Sequence, residues 1–368
     1  MVAIILICAA FICALPFYPA LYEWIARRDA TPLVVVREQD ANIRHFAASF
    51  FDQIQGFYTE HAVDPINPPA PFRGAFGNDG DASFIGAEQK PDFTDIQRRE
   101  RRTREVLIST GDLMLEGDFV FEKEIYCGRQ LYAGSNNTYT YRAVYAGTDL
   151  ILGPHSTVAR WLHSQGHVHI GAHSRIYGRI SSASSITLAG EVFFERLNAT
   201  IIRFESDTLV NVSSVLKDGH QQDWETPSNA IKLDEKTLLF DSDARLSNNV
   251  KVSHNIISKG ELFIGEGCRV SGNLKAHRRL VVGASSVIRG SLVSEGDIWV
   301  GPSSLVMGPI VSESRVTIDA GCVVGAPKIP TSITAPIIEI AVGTEISGTL
   351  WASKEGKVIV ENHATSAS

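Results

Sequence analysis

LFIGEGCRVSGNLKAHRR, LVVGASSVIRGSLVSEGD and IWVGPSSLVMGPIVSESR follow one another without a gap over 262–315. Place one of each 18-residue unit holds Leu262, Leu280 and Ile298, and place three holds Ile264, Val282 and Val300. Place nine holds Val270, Ile288 and Val306; place thirteen holds Leu274, Leu292 and Ile310. Places seven and fifteen are small: Cys268, Ser286, Ser304, then Ala276, Ser294, Ser312. Inward places thus come in pairs two apart, as one face of a strand requires, and the pairs recur every six. One unit is three short strands joined by three corners, a triangular coil of a solenoid. Gly265, Gly283 and Gly301 recur at place four, near corners where a positive φ would be useful.

The template fits earlier in the chain. Leu150, Leu152, Val158 and Leu162 are followed 18 residues later by Val168, Ile170, Ile176 and Ile180, and 113–130 fits as well. It fades in 195–237, resumes at Leu238 and Phe240, and continues to about 361. The fold predicted is all-β: a single-chain parallel β-helix of about ten triangular coils, roughly 50 Å long. Leu262, Ile264, Val270, Leu280, Val282, Ile288, Ile298, Val300 and Val306 are its expected core and assembly residues.

The N-terminus has another pattern. MVAIILICAAFICALPFYPALY carries no charge before Glu23 and is long enough to cross a bilayer. A cleaved signal peptide is the rival reading, but the basic n-region is missing. Arg27, Arg28 and Arg37 follow the apolar run, so the positive-inside rule puts the body in the cytoplasm. The expected organisation is a transmembrane anchor at 1–25, a membrane-proximal helical segment at 26–58 and a Pro/Gly-rich linker or collar at 59–105. β-Helix block 1 (106–194), an insertion loop (195–237), block 2 (238–361) and a tail (362–368) follow. In the helical segment, Ile43, Phe46, Ala47, Phe50, Phe51 and Ile54 have the spacing of one helix face.

Composition narrows the function classes. The formal net charge of −7 speaks against a nucleic-acid partner. Five cysteines without a CxxC form neither a disulfide framework nor a zinc site. Cys268 and Cys322 occupy the same place three coils apart, too far to bridge. The basic run RRERRTR (98–104) is either a solvated face or a contact for anionic lipid. His155 and His173, one coil apart, and His167 and His169 on one strand are the candidate metal ligands, although solvated corner residues look the same. His220, Asp223, Trp224 and Glu225 in the insertion read as a partner loop. No catalytic residue, cofactor or small-molecule substrate is expected, since no phosphate loop, nucleophile elbow or HExxH occurs.

Two families use coils of this length. Hexapeptide acyltransferases have left-handed coils with a small residue four places after each aliphatic one. Ile264 to Cys268 obeys that rule, whereas Val270 to Leu274 and Ala276 to Leu280 break it. LFIGEGCRVSGNLKA and its two successors more closely resemble bactofilins, polymer-forming bacterial cytoskeletal proteins with a right-handed triangular β-helix, best over 238–326. That resemblance implies a non-enzymatic scaffold at the inner membrane that assembles end to end; the apolar run and the arginines after it make it single-pass with its β-helix in the cytoplasm. Its partners would be the membrane, further copies of itself and proteins of the cell envelope or exopolysaccharide machinery. The alternatives are an acyltransferase and an exported β-helix that contacts polysaccharide.

Overall fold

The structure, a computed structural model, describes residues 43–77, 80–88, 90–134, 138–205 and 222–360. The predicted anchor at 1–25 and tail at 362–368 lie outside the described residues. Among those described, no helix is long and apolar enough to cross a membrane.

The chain is all-β and forms a β-solenoid of about 13 turns rather than ten. The coils from 262 to 315 carry the inward pairs expected from the pattern. Leu262 pairs in parallel with Leu280, and Leu280 with Ile298. The nine predicted core residues lie inside the column, each at most 2% exposed.

The column is not continuous. Strands from Val106–Ser109 to Phe193–Phe204 form one parallel stack. Strands from Thr237–Phe240 to Glu345–Ile359 form a second. The last turn of the first stack pairs antiparallel with the last turn of the second, Leu197 opposite Leu350 and Ile202 opposite Ile346. The two stacks therefore meet at their C-terminal ends and run in opposite directions. Arg203 to Glu345 (3.1 Å) and Asn198 Nδ2 to Thr349 Oγ1 (2.8 Å) pin this seam. An inward-facing pattern is the same whether neighbouring strands run parallel or antiparallel, so periodicity alone leaves the reversal unseen.

Three predicted boundaries change. Residues 195–204 belong to the closing turn of the first stack instead of an insertion. Residues 222–232 pack on the entry end of the second stack, with Gln222–Asp223 paired to Val250–Val252 and Ile231–Lys232 to Thr237–Phe240. The collar is built structure: a hairpin, Phe72–Ala75 with Asp81–Gly86, leads into a short helix, and a longer helix precedes both. Helix α1 is His45–Glu60, and α2, Asp95–Glu100, begins with a capping box between Thr94 and Gln97.

Glycine's role also differs from the expectation. Gly283 has no positive φ; a Cβ there would come 2.7 Å from Glu266 N in the neighbouring coil. The left-handed corner lies two residues on, at Ser285 (φ 55°) and Ser303 (φ 58°), and at His155 and His173 (both 58°) in the first stack. Place four is glycine because coils touch there, and the strained place tolerates other residues.

Candidate functional site

One face of the first stack is covered by helix α1. Outward residues on the covered face are large and apolar: Ile108, Tyr126, Tyr145 and Trp161 are buried, with Ala143 between them. Helix α1 lays Ala47, Phe50, Ile54 and Phe57 onto them, making a second core. Phe50 meets Trp161 edge-on at 5.6 Å, and Phe51 stacks on Tyr145 at 5.5 Å. The amphipathic spacing read from the sequence thus packs on the body.

Under the first turn of α1 lies a cavity of about 270 Å³, lined by Arg44, Phe51, Asp52, Tyr145, His163 and Gln165. His163 faces away from the coil core, yet α1 buries it to 4% exposure. Its Nδ1 lies 2.8 Å from Ser181 Oγ, while Gln165 Nε2 donates to Tyr145 Oη at 3.1 Å. Burial, and then the Arg44 guanidinium, hold the imidazole down to about 4, so it is neutral at pH 7. A neutral imidazole, a carboxylate and a guanidinium at one opening suit a small polar ligand. Asp52 and His163 alone are of metal-binding type there. Sequence reasoning placed His163 outward and no further; the signal available was the apolar stripe of α1, which needed a face to cover.

The predicted histidines are all exposed, and two of them meet: the His155 and His173 rings stack with centroids 5.2 Å apart. His167 binds Ser185 Oγ through Nδ1 at 2.7 Å. Among the described residues, no three His, Cys, Asp or Glu side chains are placed to hold a metal. Cys127 and Cys322 are buried, and burial pushes both thiols up to about 12, which keeps them protonated packing residues.

His220 lies outside the described residues. Asp223 and Glu225 are exposed, while Trp224 turns inward and packs near Phe240, ring centroids 6.4 Å apart. It plugs the entry end of the second stack. Phe93 does the same for the first stack, stacked on Phe119 at 4.2 Å. Beside these plugs, the first strands on one face of each stack, Leu113–Leu115 and Ala244–Leu246, pair on one side only among the described residues.

The basic run at 98–104 is largely neutralised. Arg98 pairs with Asp92 and Arg101 with Asp118, while Arg102 and Arg104 share Glu122. A cluster of arginines lies instead at the seam, and no sequence run announces it. Arg179 and Arg196 are opposite each other on adjacent strands, with Arg175 around the corner. Each sits over an aromatic ring: Arg175 over Phe193 (4.4 Å), Arg179 over Phe46 (4.6 Å) and Arg196 over Trp351 (4.3 Å).

Comparison of the chain with protein-family models, with characterised proteins and with solved structures finds no match.

Proposed function

We propose that this chain is a membrane-anchored, non-enzymatic structural scaffold of the bactofilin type. Its residues 1–25 would anchor it in a bacterial inner membrane, and a rod of right-handed coils would face the cytoplasm. The observation that carries this reading is the seam. Within one chain, the end of one coil stack serves as a binding surface for the end of another, through backbone pairing across all three faces. The free ends are plugged against loss of core burial by Phe93 and Trp224, while the short one-sided strands Leu113–Leu115 and Ala244–Leu246 keep backbone groups for a further copy. Flat faces and the loop around Asp223 and Glu225 remain for envelope proteins.

Negative-stain electron microscopy of the chain from Ile43 onward tests the reading. Both hydrophobic cores lie within the described residues from Ala47 on, so this fragment keeps its packing. Thin filaments, or single rods about 60 Å long at the usual strand spacing, are the expected result. Discrete threefold particles would overturn it and restore the acyltransferase alternative. A reporter fused after residue 30 checks the orientation: an exported reporter rules out the cytoplasmic scaffold.

A further inference from the structure

Many of the described arginines have carboxylate partners. Arg73, Arg129, Arg142, Arg278 and Arg315 each have one, as do the four in the basic run. Arg175, Arg179 and Arg196 lie together without one: among the described residues, no ion pair engages any of them. Two acidic side chains lie close in the chain. Glu191 is taken by Lys357 at 2.8 Å, and Glu195 is ion-paired with none of the three. Adjacent cations repel, and Arg179 shows it: partial burial, and then Arg196, hold its guanidinium below the usual arginine range. A chain of net charge −7 that gathers three cations without counter-charge leaves that place open to an external anion.

The surroundings narrow the anion. Phe46, Tyr177 and Trp351 are 48%, 49% and 41% exposed around the cluster. Exposed rings interleaved with arginines around one corner of the column match the chemistry of a bilayer surface, where rings enter the headgroup layer and guanidinium groups meet phosphate. Chain order points the same way. Arg44 Nη2 donates to Ser182 O at 3.0 Å, and Arg179 lies over Phe46, so α1 starts beside the cluster. The uncharged apolar run ends at Glu23, and the chain from residue 26 to 42 reaches at most about 60 Å. A body tethered that closely to a membrane meets it at high effective concentration.

We propose that the seam face bearing Arg175, Arg179 and Arg196, with Phe46, Tyr177 and Trp351, is a docking surface for anionic phospholipid. It rests on the membrane part of the reading above and is independent of self-assembly. The surface places the junction of the two stacks against the bilayer.

The test is co-sedimentation of the chain from Ile43 onward with vesicles of phosphatidylcholine alone, or with roughly one-third phosphatidylglycerol. Binding to the anionic vesicles only, weakening as salt rises, is expected. The pair Arg179→Gln and Arg196→Gln should weaken partition about thirtyfold, at about fivefold per charge. Arg179→Lys with Arg196→Lys should stay within about threefold of the parent, because phosphate headgroups read charge. Arg98→Gln with Arg101→Gln should change nothing. No partition onto anionic vesicles, or an equal loss in the Arg98/Arg101 pair, overturns the proposal. So does binding to heparin, as a soluble acidic polysaccharide, with the vesicles left untouched. Failure here with filaments still seen by microscopy would leave the scaffold reading standing; the converse would leave the lipid surface standing.

Discussion

Ser286 and Ser304 lie inside an apolar column, yet their oxygens are satisfied. Ser286 Oγ donates to Gly265 O at 3.1 Å and Ser304 Oγ to Gly283 O at 3.2 Å; Ser304 Oγ also accepts from Ser286 N. Small polar residues at place seven thus bond the corner of the neighbouring coil, and Cys322 bonds Gly301 O in the same way. The corner explains glycine as well. Gly283→Ala should cost about 1–3 kcal/mol through overpacking against the neighbouring coil. Ser303→Gly, at φ 58°, should be neutral or gain up to about 1 kcal/mol by relieving left-handed strain. Urea unfolding of both variants checks the contrast, and equal effects would refute it. The spacing of these glycines was legible in the sequence. Their cause was not, because the close neighbour lies 18 residues away and only stacking brings it near.

Helix α1 is held by ring packing and by the neutral state of His163. The group's folded value, about 4, is below its unfolded value near 6.5. Protonation therefore favours the undocked form. Docking is at full strength above pH 6.5, weakens as pH falls through the window from 6.5 to 4, and levels off below it. Arg44 and Asp52 from α1, and Tyr145 and Gln165 from the sheet, face the same cavity. Amide exchange along His45–Glu60 should accelerate across that window, and His163→Gln should flatten the profile. An unchanged profile in that variant would show that another group is responsible. The helix was legible from its apolar stripe, and so were the repeating strands, because side chains alternate at fixed places. The arginine cluster was not: its members come from several strands, and charges scattered along a sequence show no pattern until strands are paired.

At the scale of the molecule, the seam couples two stacks that would otherwise melt independently, since a solenoid's stability is close to a sum over neighbouring turns. Leu350 and Leu197 face each other there, and both are fully buried. Leu350→Asp buries a carboxylate without a partner and should cost several kcal/mol at that interface. The expected result is a split of one calorimetric transition into two; a single transition, merely shifted, would mean that the stacks do not unfold as separate units. The number of turns was nearly legible, and their direction was not, for the reason given by the inward pattern.

The seam also sets a timetable for synthesis. The first stack emerges from the ribosome complete but for its lid: strand Phe193–Phe204 has one edge paired. The strand that covers the other edge, Glu345–Ile359, is translated well after it. At translation rates of about 5–20 residues per second, that edge waits on the order of ten seconds. A message cut short before codon 345 would release a protein with a sticky, lidless end, which quality control could distinguish from the finished article.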